Sequence, residues 1–517
     1  MLRAVVRYDR GTIVIDGLAH IPFATLDPRI NALRAQAMYY PNIVEYLKES
    51  GIEYDDRVFF SDALTFVPLD RHYNNNDDFS SPSSSSSLTS QPSLLLSLRD
   101  YQQKAFDNWV NAGLRGCVVL PTGSGKTLVG VKAIEKANAA SLVVVPTLDL
   151  VDQWTSVLSR YFAADSNTTK KIGNLGGGVE DIQPITVSTY DSAYLRAAFL
   201  GNKFKLVVFD EVHHLAAPGY RTIAEQMAAP FRLGLTATIE REDELHRDLP
   251  RLVGEVVFQV SPDVLARQKH LAQYEVERRR VELLPEELVE YKANMRKYHD
   301  CPNRLGGVVG NSTVASYTIS LEKLIMMSGR NPLAREALLA RNRATNIALN
   351  SKAKLEELKE ILAENKGAKT IIFTQHNSMV YQISDRFLIP FITHKTGKDE
   401  RQDVLKGFKD GRYTAIVTSK VLDEGVDVPD AELGIIVSGT GSAREFIQRL
   451  GRLLRPKTRG AMAKEDNNGK KAKLIEIISS ETREETITSA KRKRALKRVQ
   501  ENHNRTANEE AYGNSVC

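Results

Sequence analysis

The chain has 517 residues, of which 42% are hydrophobic and 26% charged, and its net charge is +6. This length is too great for one hydrophobic core and predicts about three domains. The composition is ordinary for a globular protein, and the small positive excess permits a polyanionic partner without requiring one.

Three widely spaced cysteines, Cys117, Cys301 and Cys517, argue against a zinc knuckle or a disulfide framework and fit a reducing cytoplasm. The first residues, MLRAVVRYDR, carry charges where a signal peptide needs an apolar core. Nor does any apolar run approach the roughly 20 residues that span a bilayer. We therefore expect a soluble cytoplasmic protein with no membrane partner.

Residues 1–73 predict a small α+β domain. The alternation in VVRYDRGTIVIDG is typical of a β-hairpin, and NALRAQAMYYPNIVEYLKESG favours helix. Residues 74–97 are rich in serine and have almost nothing to bury, which predicts a flexible linker.

From residue 98 onward, short β-branched runs alternate with helical segments. SLVVVP, PITVST and KLVVFDE are followed later by TIIFTQ, TAIVTS and KLIEIIS. This alternation predicts an α/β fold with parallel sheets covered on both faces. Two such blocks, 98–255 and 346–481, predict two α/β domains in tandem. Residues 256–345 between them are charged and predict a hinge with a helical insertion, and 482–517 form a basic polar tail.

A glycine loop, LPTGSGKT, follows the apolar run CVV and precedes a helical pattern. In such a strand–loop–helix unit, backbone N–H groups and a helix N-terminus bind phosphates. Leu120 stands where the strict pattern GxxxxGK[ST] has its first glycine. Lys126 is predicted to contact the β- and γ-phosphates of ATP, and Thr127 to bind Mg²⁺. The predicted nucleotide-binding residues of the loop are Pro121, Thr122, Gly123, Ser124, Gly125, Lys126 and Thr127.

Residues 207–215, VVFDEVHHL, place two carboxylates and two histidines after an apolar run. Neighbouring side chains on a strand point to opposite faces, so His213 and His214 could not easily share a zinc ion if the strand continued. A strand ending in Asp-Glu favours a Walker B element instead, and a surface acidic turn is the remaining alternative. Asp210 would then hold Mg²⁺, and Glu211 would orient and deprotonate the attacking water.

A polar stripe in EFIQRLGRLLRP consists of Gln448, Arg452 and Arg455, spaced i, i+4 and i+7 on a predicted helix. The stripe could be a solvated face. Opposite a bound triphosphate, however, arginines stabilise the transition state. A phosphate loop in one sheet domain and arginines in the other predict a motor whose site closes when the domains meet, and they argue against a kinase.

The ordered set LRDYQQKA, LPTGSGKT, VVVPTLDLVDQW, VSTYDS, DEVHH, LTATIERED, IIFTQ, VTSKVLDEGVDVPDA and QRLGRLLRP resembles the motifs of a superfamily 2 helicase over about residues 98–460. Within that superfamily, DEVHH followed by RED resembles archaeal XPB, a DNA repair helicase family. The resemblance implies two tandem RecA-like helicase domains, a small N-terminal damage-recognition domain and a thumb-like helical insertion. The serine-rich linker and the basic tail are not expected from the family.

The resemblance also implies residue roles. Arg99 and Gln102 would read the adenine, while Gly425 and Asp427 would line the nucleotide cleft from the second domain. Coupling of hydrolysis to DNA would use His213, Thr236 and Thr238. DNA phosphates would lie near Thr147, Thr189, Thr374 and Thr418, where hydroxyls and amides can contact the backbone without reading bases. The RED triplet would act where the strands separate, unless it is a charged solvent loop; it comprises Arg241, Glu242 and Asp243.

The favoured function is an ATP- and Mg²⁺-dependent DNA helicase or translocase, 3′ to 5′ by resemblance, that opens duplex, forked or damaged DNA in nucleotide excision repair. Two alternatives stay open: another superfamily 2 motor (an RNA helicase or a restriction-type translocase), and a damage-binding ATPase clamp that does not unwind processively. The resemblance further implies a nuclease partner.

Overall fold

The computed structural model describes residues 4–59, 97–162, 172–241, 243–268, 274–306, 320–419, 431–438 and 472–485. The chain falls into two compact units, Met1–Pro121 with Gly125–Val260, and Thr122–Ser124 with Ser261–Cys517. Within the described ranges, no helix is both long and apolar enough to cross a membrane.

A small α+β domain opens the first unit, as predicted. Its elements are β1 Ala4–Asp9, β2 Thr12–Asp16, β3 Thr25–Asp27, β4 Ala32–Gln36, α1 Tyr40–Glu49 and β5 Tyr54–Arg57. The sheet order is β3-β4-β2-β1-β5. Ile43 and Leu47 of α1 are fully buried and share one core with Val6 and Ile13 of the sheet.

The predicted hairpin is β1–β2. Asp9 pairs with Thr12 across a two-residue turn in which Arg10 (φ 43°) and Gly11 (φ 89°) both have positive φ, as a tight hairpin turn requires. The helix predicted next begins later than the sequence suggested. Residues Ala32–Gln36 form strand β4, which pairs with β2 and β3, because sheet pairing outweighs the local helix preference of alanine, leucine and glutamine.

The rest of the first unit is an eight-stranded sheet with the order β13-β6-β12-β11-β7-β10-β8-β9. Its strands are β6 Arg115–Val119, β7 Ser141–Val145, β8 Gly173–Gly176, β9 Val179–Glu180, β10 Ile185–Thr189, β11 Leu206–Asp210, β12 Phe231–Thr236 and β13 Val256–Gln259. Its helices are α2 Asp100–Asn111, α3 Lys126–Ala137, α4 Leu148–Phe162, α5 Tyr190–Leu195, α6 Ala197–Leu200, α7 Arg221–Gln226 and α8 Leu249–Leu252. Every pairing is parallel except β8 with β9, which confirms the α/β prediction.

The N-terminal domain packs directly on this sheet domain. The Tyr8 hydroxyl is within hydrogen-bond distance of the carbonyls of Ala198 (2.8 Å) and Gln226 (3.0 Å). The Asn202 amide donates to the Val58 carbonyl at 3.0 Å, and Ala228 lies in the core of the N-terminal domain. Residues 4–59 therefore pack against the α6–α7 region through hydrogen bonds and a shared apolar core.

The second unit contains a six-stranded sheet with the order β14-β19-β18-β15-β17-β16. Its strands are β14 Tyr274–Val281, β15 Thr370–Phe373, β16 Phe391–Ile392, β17 Ala415–Thr418, β18 Leu433–Ile436 and β19 Ala472–Ser479. Its helices are α9 Pro262–Arg267, α10 Pro285–Gly306, α11 Leu321–Ser328, α12 Pro332–Leu349, α13 Lys352–Glu364, α14 Asn377–Phe387 and α15 Lys398–Lys409. All its pairings are parallel.

Among the described residues of 256–345, where a helical insertion is predicted, the helices are the short α9 and the longer α10, α11 and α12. At the start of this segment, β13 belongs to the first sheet, and YEVERRRV, expected to be helical, is strand β14 paired with β19. The charges on this strand are neutralised by neighbours: Arg278 bonds the buried Glu476 at 2.9 Å, and Arg279 bonds Glu357 at 3.1 Å and also contacts Glu364. Cross-strand ion pairs thus allow a sequence with few apolar residues to complete the sheet.

Candidate functional site

Three neighbouring strands of the first sheet, β6, β12 and β11, end at the same edge. The glycine loop follows β6, Thr236 ends β12 and Asp210 ends β11. Because ligands of parallel α/β sheets bind outside the carboxyl ends of the strands, this edge is the candidate site.

The glycine loop connects β6 to helix α3. Gly123 (φ 81°) and Gly125 (φ 79°) take left-handed conformations that bring the chain round to the N-terminus of α3 at Lys126. Leu120 is fully buried and its N–H donates to the Thr236 carbonyl at 2.9 Å. It therefore extends the pairing of β6 with β12 and does not enter the turn, which explains why no glycine is needed there.

The loop has the properties of a phosphate site. Among the described residues, the buried hydroxyl of Thr122 finds no hydrogen-bond partner, and a buried polar atom of this kind is unfavourable unless a ligand satisfies it. Lys126 Nζ lies 3.3 Å from the Leu120 carbonyl and 3.5 Å from Glu211 Oε1. An ammonium, a helix N-terminus and an unsatisfied hydroxyl together fit the phosphates of a nucleotide.

Gln102, predicted to read adenine, is bonded to the phosphate loop. Its side-chain oxygen accepts from the Arg99 N–H at 2.9 Å, closing a capping box at the start of α2. Its amide nitrogen donates to the Gly125 carbonyl at 3.3 Å. Gln102 thereby ties α2 to the last turn of the loop, and an adenine contact of Arg99 and Gln102 stays a prediction.

The two carboxylates lie at the end of β11 with different surroundings. Asp210 is buried; its Oδ1 accepts from the Glu211 N–H at 3.0 Å, and its Oδ2 from the Trp154 indole N–H at 2.8 Å. Glu211 has a left-handed backbone (φ 48°) that turns its side chain toward Lys126 and Thr236. The strand thus ends at Asp210, and the histidines lie on a 3-10 helix, Val212–Ala216, so the condition of a continuing strand, on which the argument about His213 and His214 depended, is not met.

The surroundings of Asp210 also change its pKa. Burial, together with the charge of Glu211, raises the pKa of Asp210 to about 6, while Lys126 and the Trp154 N–H act in the opposite direction. A buried carboxylate that accepts from two donors of the described part of the chain, as Asp210 does, has lone pairs left for a cation. Asp210 therefore fits a metal ligand, and Thr127, at the start of α3, comes from the adjacent loop.

Two of the three predicted coupling residues, Thr236 and His213, lie beside the Glu211 carboxylate, and Thr238 is bonded to Thr236. Thr236 Oγ1 lies 3.2 Å from Glu211 Oε2 and 3.1 Å from His213 Nδ1, and His213 Nδ1 is 3.6 Å from the same carboxylate oxygen. The Thr236 hydroxyl is also 2.8 Å from the Thr238 carbonyl. The structure therefore places the three predicted coupling residues, His213, Thr236 and Thr238, in one cluster with Glu211, and their coupling role stays a prediction.

The RED segment is bonded to this cluster. Arg241 pairs with both oxygens of Asp243, at 2.9 and 2.6 Å, and its third nitrogen donates to the His213 carbonyl at 2.7 Å. The guanidinium holds the pKa of the Asp243 carboxyl well below its usual range. Glu242 lies outside the described residues. Arg241 is thus not a free solvent charge but a link to the turn that carries His213.

The four threonines predicted to lie near DNA fall into two classes. Thr147 and Thr189 accept bonds from the Leu150 and Ser192 N–H groups, at 3.3 and 3.2 Å, at the starts of α4 and α5. Thr374 and Thr418 are fully buried, with hydroxyls bonded to Ser438 (2.8 Å) and to the Ser419 carbonyl (3.0 Å). The structure does not support contact of those two buried hydroxyls with DNA, because strand packing encloses them.

Five predicted residues of the second domain, Gly425, Asp427, Gln448, Arg452 and Arg455, lie outside the described residues. Conversely, sequence reasoning missed Trp154, whose indole bonds Asp210. The spacing of Leu150, Val151, Trp154 and Leu158 marks it only as core, and all four are buried. The available signal was that a buried indole N–H needs an acceptor.

Comparisons with known proteins agree with this geometry. Residues 95–241 match the family model of the type III restriction enzyme res subunit, residues 6–58 that of the xeroderma pigmentosum group B helicase damage recognition domain, and residues 353–457 that of the helicase conserved C-terminal domain.

Individual relatives show the same similarity, over nearly the full length of one of them and over about half the length of the other two. The chain is 40% identical to the DNA 3′–5′ translocase XPB2 of Sulfurisphaera tokodaii over 94% of this chain and 99% of that one. It is 32% identical to the DNA 3′–5′ helicase XPB of Kineococcus radiotolerans, over 70% of this chain and 58% of that one. It is 27% identical to the XPB helicase/translocase subunit of general transcription and DNA repair factor IIH from Drosophila melanogaster, over 77% and 46%.

Proposed function

The chain belongs to the XPB family of DNA helicases, and from that premise we propose that it is an ATP-driven DNA translocase or helicase that moves 3′ to 5′ and opens duplex DNA in nucleotide excision repair. Its similarity to the S. tokodaii translocase spans nearly the whole of both chains. The match to the damage recognition domain supports repair as the setting.

The observation that carries the ATPase proposal is the position of Glu211 between two groups. Lys126 Nζ lies 3.5 Å from one of its oxygens, and Thr236 Oγ1 lies 3.2 Å from the other. When phosphate takes over Lys126, the ammonium neutralises the Glu211 carboxylate less, which favours transfer of a proton from water to that carboxylate. Thr236 and His213 keep the carboxylate oriented for that step.

Mg²⁺ fits the same edge of the sheet. Thr127 and Asp210 would hold it, and the ion would supply charge neutralisation of the phosphate oxygens. Hydroxyl and carboxylate oxygens are the ligands that Mg²⁺ prefers. The remaining nucleotide contacts are assigned to Pro121, Thr122, Gly123, Ser124, Gly125 and Lys126.

Five residues of the second helicase domain are assigned by family resemblance alone. By family resemblance we assign Gly425 and Asp427 to the nucleotide cleft, and Gln448, Arg452 and Arg455 to stabilisation of the transition state. We place the domain boundaries at about residues 73, 97, 255, 345 and 481. Strand β14 lies in the 256–345 segment but belongs to the sheet of the second helicase domain. A nuclease partner is part of the same proposal.

The deciding experiment measures ATP hydrolysis and strand separation by the full chain on single-stranded, duplex and forked DNA and on RNA. We expect DNA to stimulate hydrolysis and a forked substrate with a 3′ tail to be opened, with Lys126→Ala inactive in both assays. Stimulation by RNA instead of DNA would identify another superfamily 2 motor. DNA-stimulated hydrolysis without movement on any substrate would identify a clamp.

A further inference from the structure

The indole of Trp154 is the group through which helix α4 contacts the candidate metal site. Trp154 is fully buried, and its Nε1 lies 2.8 Å from Asp210 Oδ2. An indole nitrogen can only donate, so this bond has one direction. With Oδ1 accepting from the Glu211 N–H at 3.0 Å, both oxygens of the carboxylate are fixed.

The ring is held in place from the other side by α3, the helix that begins with Lys126 and Thr127. A Cβ at Gly130 would lie 2.5 Å from Cη2 of Trp154 and 3.3 Å from its Cζ3. Position 130 therefore tolerates no side chain while the indole keeps its place. Trp154 thus fills the space between α3, which supplies the predicted Thr127 ligand, and β11, which supplies Asp210.

We propose that Trp154 is a positioning residue for the metal ion: its N–H sets the rotation of the Asp210 carboxylate, and its ring sets the distance of that carboxylate from helix α3. The inference rests on the proposed nucleotide site. Partners that orient metal ligands commonly change metal affinity when removed. Removing the Trp154 N–H should therefore weaken the nucleotide binding that requires Mg²⁺ and leave nucleotide binding without Mg²⁺ unchanged.

The protein contains two tryptophans, which provides a matched control. Trp109 is equally buried and also bonds through its indole, to the Arg232 carbonyl at 3.0 Å, but it does not touch Asp210. Trp109→Phe and Trp154→Phe therefore remove the same group from two buried places in the same sheet domain. Only the second change alters the surroundings of the carboxylate.

The test is equilibrium binding of a fluorescent ADP analogue, in EDTA and across a Mg²⁺ titration. For Trp154→Phe, we expect the Mg²⁺ concentration at half-maximal effect to rise about tenfold, with binding in EDTA unchanged. Trp109→Phe should behave as the parent in both. Gly130→Ala should raise the Mg²⁺ requirement as well, because it displaces the ring while keeping the indole.

A spectroscopic arm needs no change at Trp154. In Trp109→Phe, the remaining indole emission should shift when Mg²⁺ is added to the ADP-bound protein, whereas the emission of Trp154→Phe should not. An unshifted Trp154 emission would overturn the inference, as would equal Mg²⁺ requirements of the two variants. Failure of the parent itself to bind nucleotide would instead reject the proposed function.

Discussion

Glu211 has a backbone conformation that a residue with a side chain rarely adopts. Its φ of 48° follows the last residue of β11 directly. Such a conformation costs free energy and persists where the surrounding structure enforces it, typically at functional sites. Here it directs the carboxylate toward Lys126 and Thr236, whereas the adjacent Asp210 accepts from the Trp154 indole.

Glu211→Gln should preserve nucleotide binding and lower ATP turnover by roughly 10²- to 10⁴-fold, the usual contribution of a general base. The amide keeps the shape and the contact with Thr236 but cannot accept the proton. Glu180→Gln, at an exposed carboxylate on β9, is the control. Turnover equal to that of the parent would refute the assignment of Glu211 as the base.

Lys354 and Glu484 form a buried ion pair in the second unit. Lys354 Nζ lies 2.9 and 2.7 Å from the two oxygens of Glu484 and donates to the Val437 carbonyl at 2.8 Å. The pair joins α13, the end of β18 and the segment after β19. Both side chains are almost completely enclosed, so neither charge can recover its hydration if the other is removed.

Lys354→Met should therefore destabilise the second unit by about 3–5 kcal/mol, because it leaves the Glu484 carboxylate buried without a counter-charge. Lys354→Met combined with Glu484→Leu should recover most of that loss, since buried pairs are often replaceable by apolar side chains. The measurement is urea unfolding of the three proteins. A double variant as unstable as the single one would show that the pair contributes more than mutual neutralisation.

Among the elements, the 3-10 helix after β11 and the RED segment are connected, because the Arg241 guanidinium donates to the His213 carbonyl. We expect Arg241→Ala to lower DNA-stimulated ATP turnover several-fold, since the turn it releases carries the ring that orients Thr236 and Glu211. Asp243→Ala should leave turnover near normal, because the partly exposed ion pair contributes only about 0–1 kcal/mol. Steady-state turnover with forked DNA measures both; identical losses would mean that the ion pair, and not the carbonyl contact, matters.

The elements also show where sequence patterns suffice. The apolar runs at β7, β10 and β11 identify buried parallel strands, and the apolar runs before the glycine loop and before Asp210 and Glu211 correctly place both at strand ends. Strand β14 could not be identified in this way, because its arginines are neutralised by Glu476 and by two glutamates of α13, which lie far away in the chain. Trp154 was missed for the same reason: its acceptor lies on another strand, and no local pattern reports a tertiary hydrogen bond.

At the scale of the whole molecule, DNA binding should depend strongly on salt. The protein carries a net charge of +6, and Thr147 and Thr189 lie at helix starts, where backbone N–H groups favour phosphate. Affinity for undamaged duplex should fall at least about tenfold between roughly 50 and 200 mM salt, with little sequence preference. Fluorescence anisotropy across salt concentrations tests this; an affinity independent of salt would exclude backbone phosphates as the main contacts.

The packing of the N-terminal domain on the sheet domain has a consequence for movement along DNA. Tyr8 and Asn202 fasten residues 4–59 to the body that also carries Lys126 and Asp210. A domain held in this way keeps one orientation relative to the nucleotide-binding sheet. If the sheet domain moves along the duplex, each step would bring the next stretch of DNA to the N-terminal domain from the same side and at the same angle. The rate at which that domain meets new DNA would then equal the rate of stepping, which ATP hydrolysis sets.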